Sequence, residues 1–409
     1  MQVHSNRLVV ILFFAQVLAM AGIANFAVLL PEFTQMWELT SLEAGWISGI
    51  FFAGYICTAP FLVGLTDSVD SKKVYLVGSI FGVIGLFGFA FIADGFWTAL
   101  FFRFLSGIAM AGTYMPGLQI LNERLQFKKR QQSTPWYLST VTVGTGVSFF
   151  LGGHLFEVFD WHYIFYLSGL LQLLSLTLIL FFVPAKIYMV DEKTRNTRHP
   201  LDFRPVFKNR KALAFILGYL GHNFELFAFR AWIVAFLVFA SALNMNSIGR
   251  SEIGSYVAVF SFLGMFCSIL GARIADHLSR IKIIRYLMVI SFIVGTTLGF
   301  LSNLPFIFLL MVTAIYSGLL MADSAILTTS TVEAATDNTR GATLAIHSVF
   351  GISGAFLGPI VVGFVLDIFG GVESYKGWQF GCITMASGSL IGVVLLSMMR
   401  RRVEKSDYS

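Results

Sequence analysis

Between Gly218 and Trp232 the chain reads GYLGHNFELFAFRAW, and His222, Asn223, Glu225, Arg230 and Trp232 are the side chains in it that could do chemistry. At 100° per residue all five share one helical arc of ~180°. His222 and Glu225 are three apart and adjacent on that arc, an imidazole beside a carboxyl, which suits a group that carries a proton. Asn223 and Arg230 are seven apart and aligned, and the guanidinium offers a fixed charge to an anionic ligand. In a segment this apolar, each charge costs ~2.5–3.5 kcal/mol at the bilayer centre, so the polar arc is expected to line a cavity. The structural alternative is that Glu225 and Arg230 neutralise partners on other helices.

Further ionisable groups lie in other apolar segments. Arg103 has no acid on its own helix, so its charge must be met by another helix, with Asp323 or Glu225 as partners, or by a solute. Asp323 has Tyr316 seven residues before it and Ser324 beside it, a second proton-carrier pattern. His347 follows GATLAI and fits either a cavity or hydrogen-bonded packing. Tyr114, Gln119, Asn25 and Tyr55 are candidate cavity polars that could equally act as interhelical glue.

The elements that must position these groups are membrane helices. The chain has 409 residues, of which 56% are hydrophobic and only 12% charged, about half the charge of a soluble chain. Apolar runs of spanning length occur near 8–31, 42–65, 74–93, 97–121, 135–157 and 162–183, then near 212–240, 254–272, 283–301, 304–330, 341–366 and 378–399. The first run has the look of a secretory leader, but eleven more follow it, so it reads as an uncleaved span. The fold class is therefore all-α, with twelve transmembrane helices. The polar stretch Pro184 to Lys211 divides it into a six-helix bundle over 1–183, a cytoplasmic linker over 184–211 and a second six-helix bundle with a short tail over 212–409. Of the 28 Lys and Arg residues, 24 fall on the side of the N-terminus, two on the opposite side (Arg250 and Lys376) and two inside spans. This asymmetry places both termini in the cytoplasm.

The two bundles repeat at one offset. NERLQFKKR matches TVEAATDNTR, pairing Glu123 with Glu333 and Arg130 with Arg340. GGHLFEVF matches VVGFVLDIF, pairing Gly153 with Gly363 and Glu157 with Asp367. One residue short of that offset, the loop after span two pairs Asp67 with Asp276, the latter followed by Arg280. Parallel six-span repeats place a solute site near the midplane between them.

On these residues the chain resembles the major facilitator superfamily, secondary transporters of the bacterial type. In the family's loop pattern G-x-L-A-D-R-x-G-R-K, Leu65, Asp67 and Lys72 keep their places, Gly64 is shifted by one, and Ser68 and Asp70 replace an arginine and a glycine. Span four has the R-x-x-x-G pattern in Arg103 and Gly107, and DWHYIF at 160–165 resembles the start of span six. The resemblance implies that Asp67 latches the cytoplasmic ends of the halves and that Arg103 couples proton or substrate. Lys72, Asp276 and Arg280 belong to the same gating loops. The antiporter signature of span five ends in Gly-Pro-x-x-Gly-Gly, whereas SFFLGG here has Ser148 and Phe149 in place of Gly-Pro, which favours uptake mildly.

The sequence thus points to proton-coupled uptake of a small polar or anionic solute by alternating access at a bacterial inner membrane. The family resemblance implies a monomer. Its partners are the solute, protons and the lipid bilayer. The alternatives are a proton-driven exporter of drug-like or chelator-like molecules and a non-transporting receptor or scaffold. The basic residues lie in short loops, not on an aromatic-laced stripe, which excludes nucleic acid. The three cysteines lack ligand spacing, so no metal, disulfide or cofactor is expected. GISG at 351–354 resembles a hydrolase motif, but no histidine follows His347 to serve it, and no zinc or Walker motif is present.

Overall fold

The computed structural model describes residues 5–66, 68–185, 203–244, 248–336 and 339–406; Asp67 and residues 186–202 of the linker lie outside them. Among the described residues the regular structure is all helical. The first half contains α1 (Ser5–Met20), α2 (Asn25–Val28), α3 (Leu30–Met36), α4 (Ser41–Leu65), α5 (Ser71–Ile92), α6 (Phe96–Arg124), α7 (Phe127–Phe156) and α8 (Trp161–Phe182). After the short α9 (Arg204–Lys208) come α10 (Arg210–Leu243), α11 (Arg250–His277), α12 (Arg280–Leu298), α13 (Phe306–Ala322), α14 (Ser324–Ala334), α15 (Arg340–Ile368) and α16 (Tyr375–Ser406). Ten segments among the described residues are long and apolar enough to cross a membrane, α13 and α14 forming one of them. The broken α1–α3 and α7, whose first turns carry FKKRQQ, complete twelve.

Two spans that read as continuous in sequence are interrupted. The first turns out of helix between Met20 and Asn25, where Gly22 lies so close to α8 that an added Cβ would meet Ser168 Cβ at 2.9 Å. The freed Ala24 N–H donates to Ser148 Oγ at 2.9 Å, Ser148 donates to Asn25 Oδ1 at 3.1 Å, and Asn25 Nδ2 donates to Ser168 Oγ at 2.8 Å. Backbone polarity in a bilayer needs such an internal partner, and Ser148 supplies it, held in a side-chain relay with Asn25 and Ser168. The second interruption is at Asp323, a single residue between α13 and α14.

The chain forms two compact units. The first comprises Met1–Leu39, Trp46–Val190 and Ile248–Phe262, and the second Thr40–Gly45, Asp191–Ser247 and Leu263–Ser409. The first turn of α4 thus belongs to the second unit and the first half of α11 to the first. In the first unit Leu8, Leu12, Tyr75, Ile120, Leu121, Tyr137 and Ile179 form a buried core. In the second, Phe215, Ile284, Met288, Ile326, Leu327 and Leu396 do the same.

Each borrowed helix start is held by a carboxylate. Asp367, at the end of α15, accepts from Ser41 N and Leu42 N, both at 2.8 Å, while Glu157, just after α7, accepts from Ser251 N at 3.0 Å and Ser251 Oγ at 2.7 Å. Both acceptors and both serines are related by the repeat offset. A helix start has unsatisfied N–H groups and a partial positive charge, so an anion there is doubly favoured.

The Ser251 hydroxyl and amide hold the Glu157 carboxyl below the usual carboxylate range. Its stabilisation is therefore present above the ordinary glutamate pKa and is lost as pH falls through the lower folded value. Glu157→Gln is expected to lower the apparent Tm by ~1–2 °C at neutral pH. In thermal melts across pH, the gap to wild type should close below about pH 4; a gap that stays constant with pH would refute the capping role.

Candidate functional site

The long helix α10 carries the polar arc, and its neighbours divide that arc three ways. Gly221 lets α16 approach closely, with an added Cβ only 2.4 Å from Gly388 O, and this brings Ser389 against Glu225. The Glu225 carboxylate is fully buried and accepts three hydroxyl hydrogen bonds, from Ser291 on α12 at 3.1 Å, from Tyr316 on α13 at 2.8 Å and from Ser389 on α16. All three donors belong to the second unit, as Glu225 does. Three hydroxyl donors satisfy the ionised form, and hydroxyls can rotate to accept from the protonated form, so the cage tolerates both states.

His222 turns instead toward the break in span ten. Its Nδ1 lies 2.8 Å from Asp323 Oδ1, both side chains almost wholly buried. The contact is off the line of a directional bond: Asp323 Oδ1 and His222 Nε2 both remain without a hydrogen-bond partner. Tyr219, one turn earlier on α10, lies with its ring stacked between two imidazoles, 5.5 Å from His222 and 4.1 Å from His347. His347 on α15 lies within 3.5 Å of Thr328 Oγ1 and 3.4 Å of Thr331 Oγ1 on α14. Asn223 faces α15, where Gly351 leaves room for its amide, and among the described residues its Nδ2 makes no hydrogen bond of normal geometry. Sequence reading missed Tyr219, Ser291 and Ser389; their one signal was hydroxyl groups in apolar spans, which is too common to single them out.

Arg230 is half-buried, its guanidinium 5.3 Å from the Phe227 ring, and among the described residues no carboxylate lies within 4 Å of it. Trp232 is completely buried and donates to Pro359 O at 3.0 Å, so it offers a ligand no surface here. The second unit thus brings together His222, Asn223, Asp323 and His347 around Tyr219, and keeps Glu225 with Tyr316 in a separate pocket. A carboxylate and an imidazole in contact at a helix break can share and pass a proton.

In the first unit Asn25 is committed to Ser148 and Ser168 as described. Tyr114 is half-buried, its ring 6.0 Å from Tyr137, whose hydroxyl donates to Tyr114 O at 2.9 Å. Tyr55 is buried on α4 and Gln119 half-buried on α6. Arg103 is buried on α6 and donates to Ile23 O at 3.3 Å, a contact within the first unit. Lys72 Nζ donates to Leu180 O at 2.8 Å and Val183 O at 2.6 Å, satisfying the last carbonyls of α8. Asp70 accepts from Lys72 N at 3.0 Å and pairs with Arg124 at 2.8 Å, so the aspartate that departs from the loop pattern caps α5. Arg280 pairs with Glu333. Asp67 and the side chain of Asp276 lie outside the described residues. No group of three metal-ligating side chains occurs among those described.

Comparison with known proteins agrees with this architecture. The Major Facilitator Superfamily model matches residues 12–322 and 238–408. An uncharacterized MFS-type transporter of Methanocaldococcus jannaschii is 24% identical over 87% of this chain and 90% of its own length. A sphingosine-1-phosphate transporter of Xenopus tropicalis is 24% identical over 61% of this chain, which spans only about half (52%) of that relative. Among solved structures, a bacterial homolog of the human lysosomal transporter Spinster superposes with a TM-score of 0.82 at 15% identity, covering 98% of both chains. The nucleoside transporter NupG superposes with a TM-score of 0.74 at 16% identity, covering 97% of this chain and 98% of its own. With twelve membrane helices, an internal repeat and a family match along nearly its whole length, the chain belongs to the Major Facilitator Superfamily and is a multi-pass membrane transporter, not an enzyme.

Proposed function

We propose that this transporter takes up a small polar or anionic organic solute together with protons, across a bacterial inner membrane, as a monomer. Both termini lie in the cytoplasm in this reading, with residues 184–211 as the cytoplasmic linker between the halves. The observation that carries it is Arg230: a half-buried cation, without a carboxylate within 4 Å among the described residues, on the helix that also holds His222 and Glu225. An intramembrane charge without a protein counter-ion is suited to an anionic cargo. The His222–Asp323 pair and the caged Glu225 supply two groups whose protonation can change as α10 shifts against α13 and α14. A proton crossing 100 mV contributes ~2.3 kcal/mol, before any pH gradient, and coupling requires only that one such group bind it differently in the two states.

A second reading, export of a larger amphipathic or drug-like molecule, is favoured by two relatives. These are the sphingosine-1-phosphate transporter noted above and a bicyclomycin resistance protein homolog of Haemophilus influenzae at 26% identity. The readings separate in a thermal-shift screen of the purified protein with carboxylates, amino acids, nucleosides and amphipathic cations at pH 5.5 and 7.5, since a ligand of the folded state raises its apparent stability. Stabilisation by one small polar class supports uptake; stabilisation only by bulky amphiphiles supports export.

Two variants test the residue roles with the solute so found. Glu225→Gln is expected to abolish pH-driven accumulation in proteoliposomes while leaving solute exchange measurable, and full accumulation would remove Glu225 from coupling. Arg230→Ala is expected to weaken binding of an anionic solute by ~10-fold or more, the worth of one charge-assisted hydrogen bond. An unchanged Kd would sink the anion-binding role.

A further inference from the structure

Arg103 has an unmet charge that the reading above does not use. Its side chain is 94% buried, given a relative exposure of 6%. One guanidinium nitrogen donates to Ile23 O at a long 3.3 Å, in the interrupted turn of the first span, and the group sits 4.9 Å from the Phe51 ring centre. Among the described residues its Nε–H has no acceptor and no carboxylate lies within 4 Å. Gln172 on α8 is 2% exposed and, among the same residues, its Nε2 also has no acceptor. Arg103 and Gln172 line the same cavity, with Gly22, Ile23, Gly82 and Thr113, and all of these belong to the first unit.

The cavity holds two buried donors without an acceptor among the described residues, Arg103 Nε–H and Gln172 Nε2, and the hydroxyls of its lining that could accept from a water are neutral: those of Ser106 and Thr113, whose protons go to Phe102 O at 3.0 Å and Ala109 O at 2.9 Å. A buried cation lacking a counter-charge is strongly destabilising, by several kcal/mol after relaxation. Water would fill the donors but leave the charge. The free volume is ≈ 20 Å³, above the ~10–15 Å³ that one water requires, so it suits a single small ion or the carboxylate end of a molecule and not a sugar-sized solute. The repeat adds an independent indication that the charge is not scaffold. The position equivalent to Arg103 in the second half is Thr313, a neutral residue whose hydroxyl donates to Leu309 O of its own helix at 2.8 Å.

We propose that this cavity binds a small anionic group, free chloride or a carboxylate, as the counter-ion of Arg103. The site lies in the other unit from His222, Glu225, Arg230 and Asp323, and it stands whether or not those residues carry protons and solute.

The test is a thermal unfolding titration of the purified full-length protein at constant ionic strength, replacing gluconate, which is too large for the cavity, by chloride, bromide or acetate. Wild type is expected to gain apparent Tm saturably, and Arg103→Gln to respond at least 10-fold more weakly. A response to halide alone identifies free chloride as the occupant, and a response to acetate that competes with halide identifies a carboxylate. If Arg103→Gln does not fold, Arg103→Lys keeps the charge but lacks the Nε–H and should still bind more weakly than wild type. Bromide-soaked crystals should then show anomalous density beside residue 103. No anion-specific gain in wild type, an undiminished response in the variants, or bromide density only elsewhere would overturn the site.

Discussion

The constraint on which the rest of this structure depends is that a charge or polar group inside a bilayer must find its partner inside the protein. The described residues meet it by different means. The Glu225 carboxylate takes three hydroxyls from three helices, and Asp323 takes an imidazole at a helix break. The turn that interrupts the first span is satisfied by a serine and an asparagine. Arg103 and Arg230 differ from all of these, being cations that no described carboxylate answers.

The repeat separates scaffold from function. What the two halves share lies at helix ends: Glu157 and Asp367 hold helix starts in the same way at the same offset. What they do not share lies at mid-membrane. The positions equivalent to His222, Glu225 and Arg230 are Leu12, Ala15 and Met20, and the position equivalent to Asp323 is Thr113. Duplication supplied a symmetric frame, and the ionisable chemistry diverged within it, with acids and histidines in one copy and a solitary arginine in the other.

The membrane helices were legible in sequence because they follow from a one-dimensional quantity, the length of apolar runs. The site was legible only as a set of residues. A helical wheel placed His222, Asn223, Glu225 and Arg230 on one arc, but an arc of ~180° on a central helix faces several neighbours at once. Here α12, α13 and α16 take Glu225, the α13–α14 break takes His222 and α15 takes Asn223. The break at Asp323 was hidden because its flanking residues are as apolar as any helix, and Tyr219 was hidden because its role depends on a histidine more than a hundred residues away. Lys72 and Arg280 read as gate residues, and the structure places their charges on α8 carbonyls and on Glu333 within their own halves.

Ser148 shows how a local duty can alter the meaning of a sequence signature. It stands where antiporters of this superfamily resemble one another in having Gly-Pro, and its absence from that pattern reads as a hint of uptake. In the structure its hydroxyl accepts the freed amide of Ala24 and orients Asn25, so this residue is required by the break in the first span. A glycine there would leave a buried amide unbonded, whichever way the solute moves. The identity of residue 148 is thus tied to the break in the first span, a duty of packing that the sequence signature alone did not show.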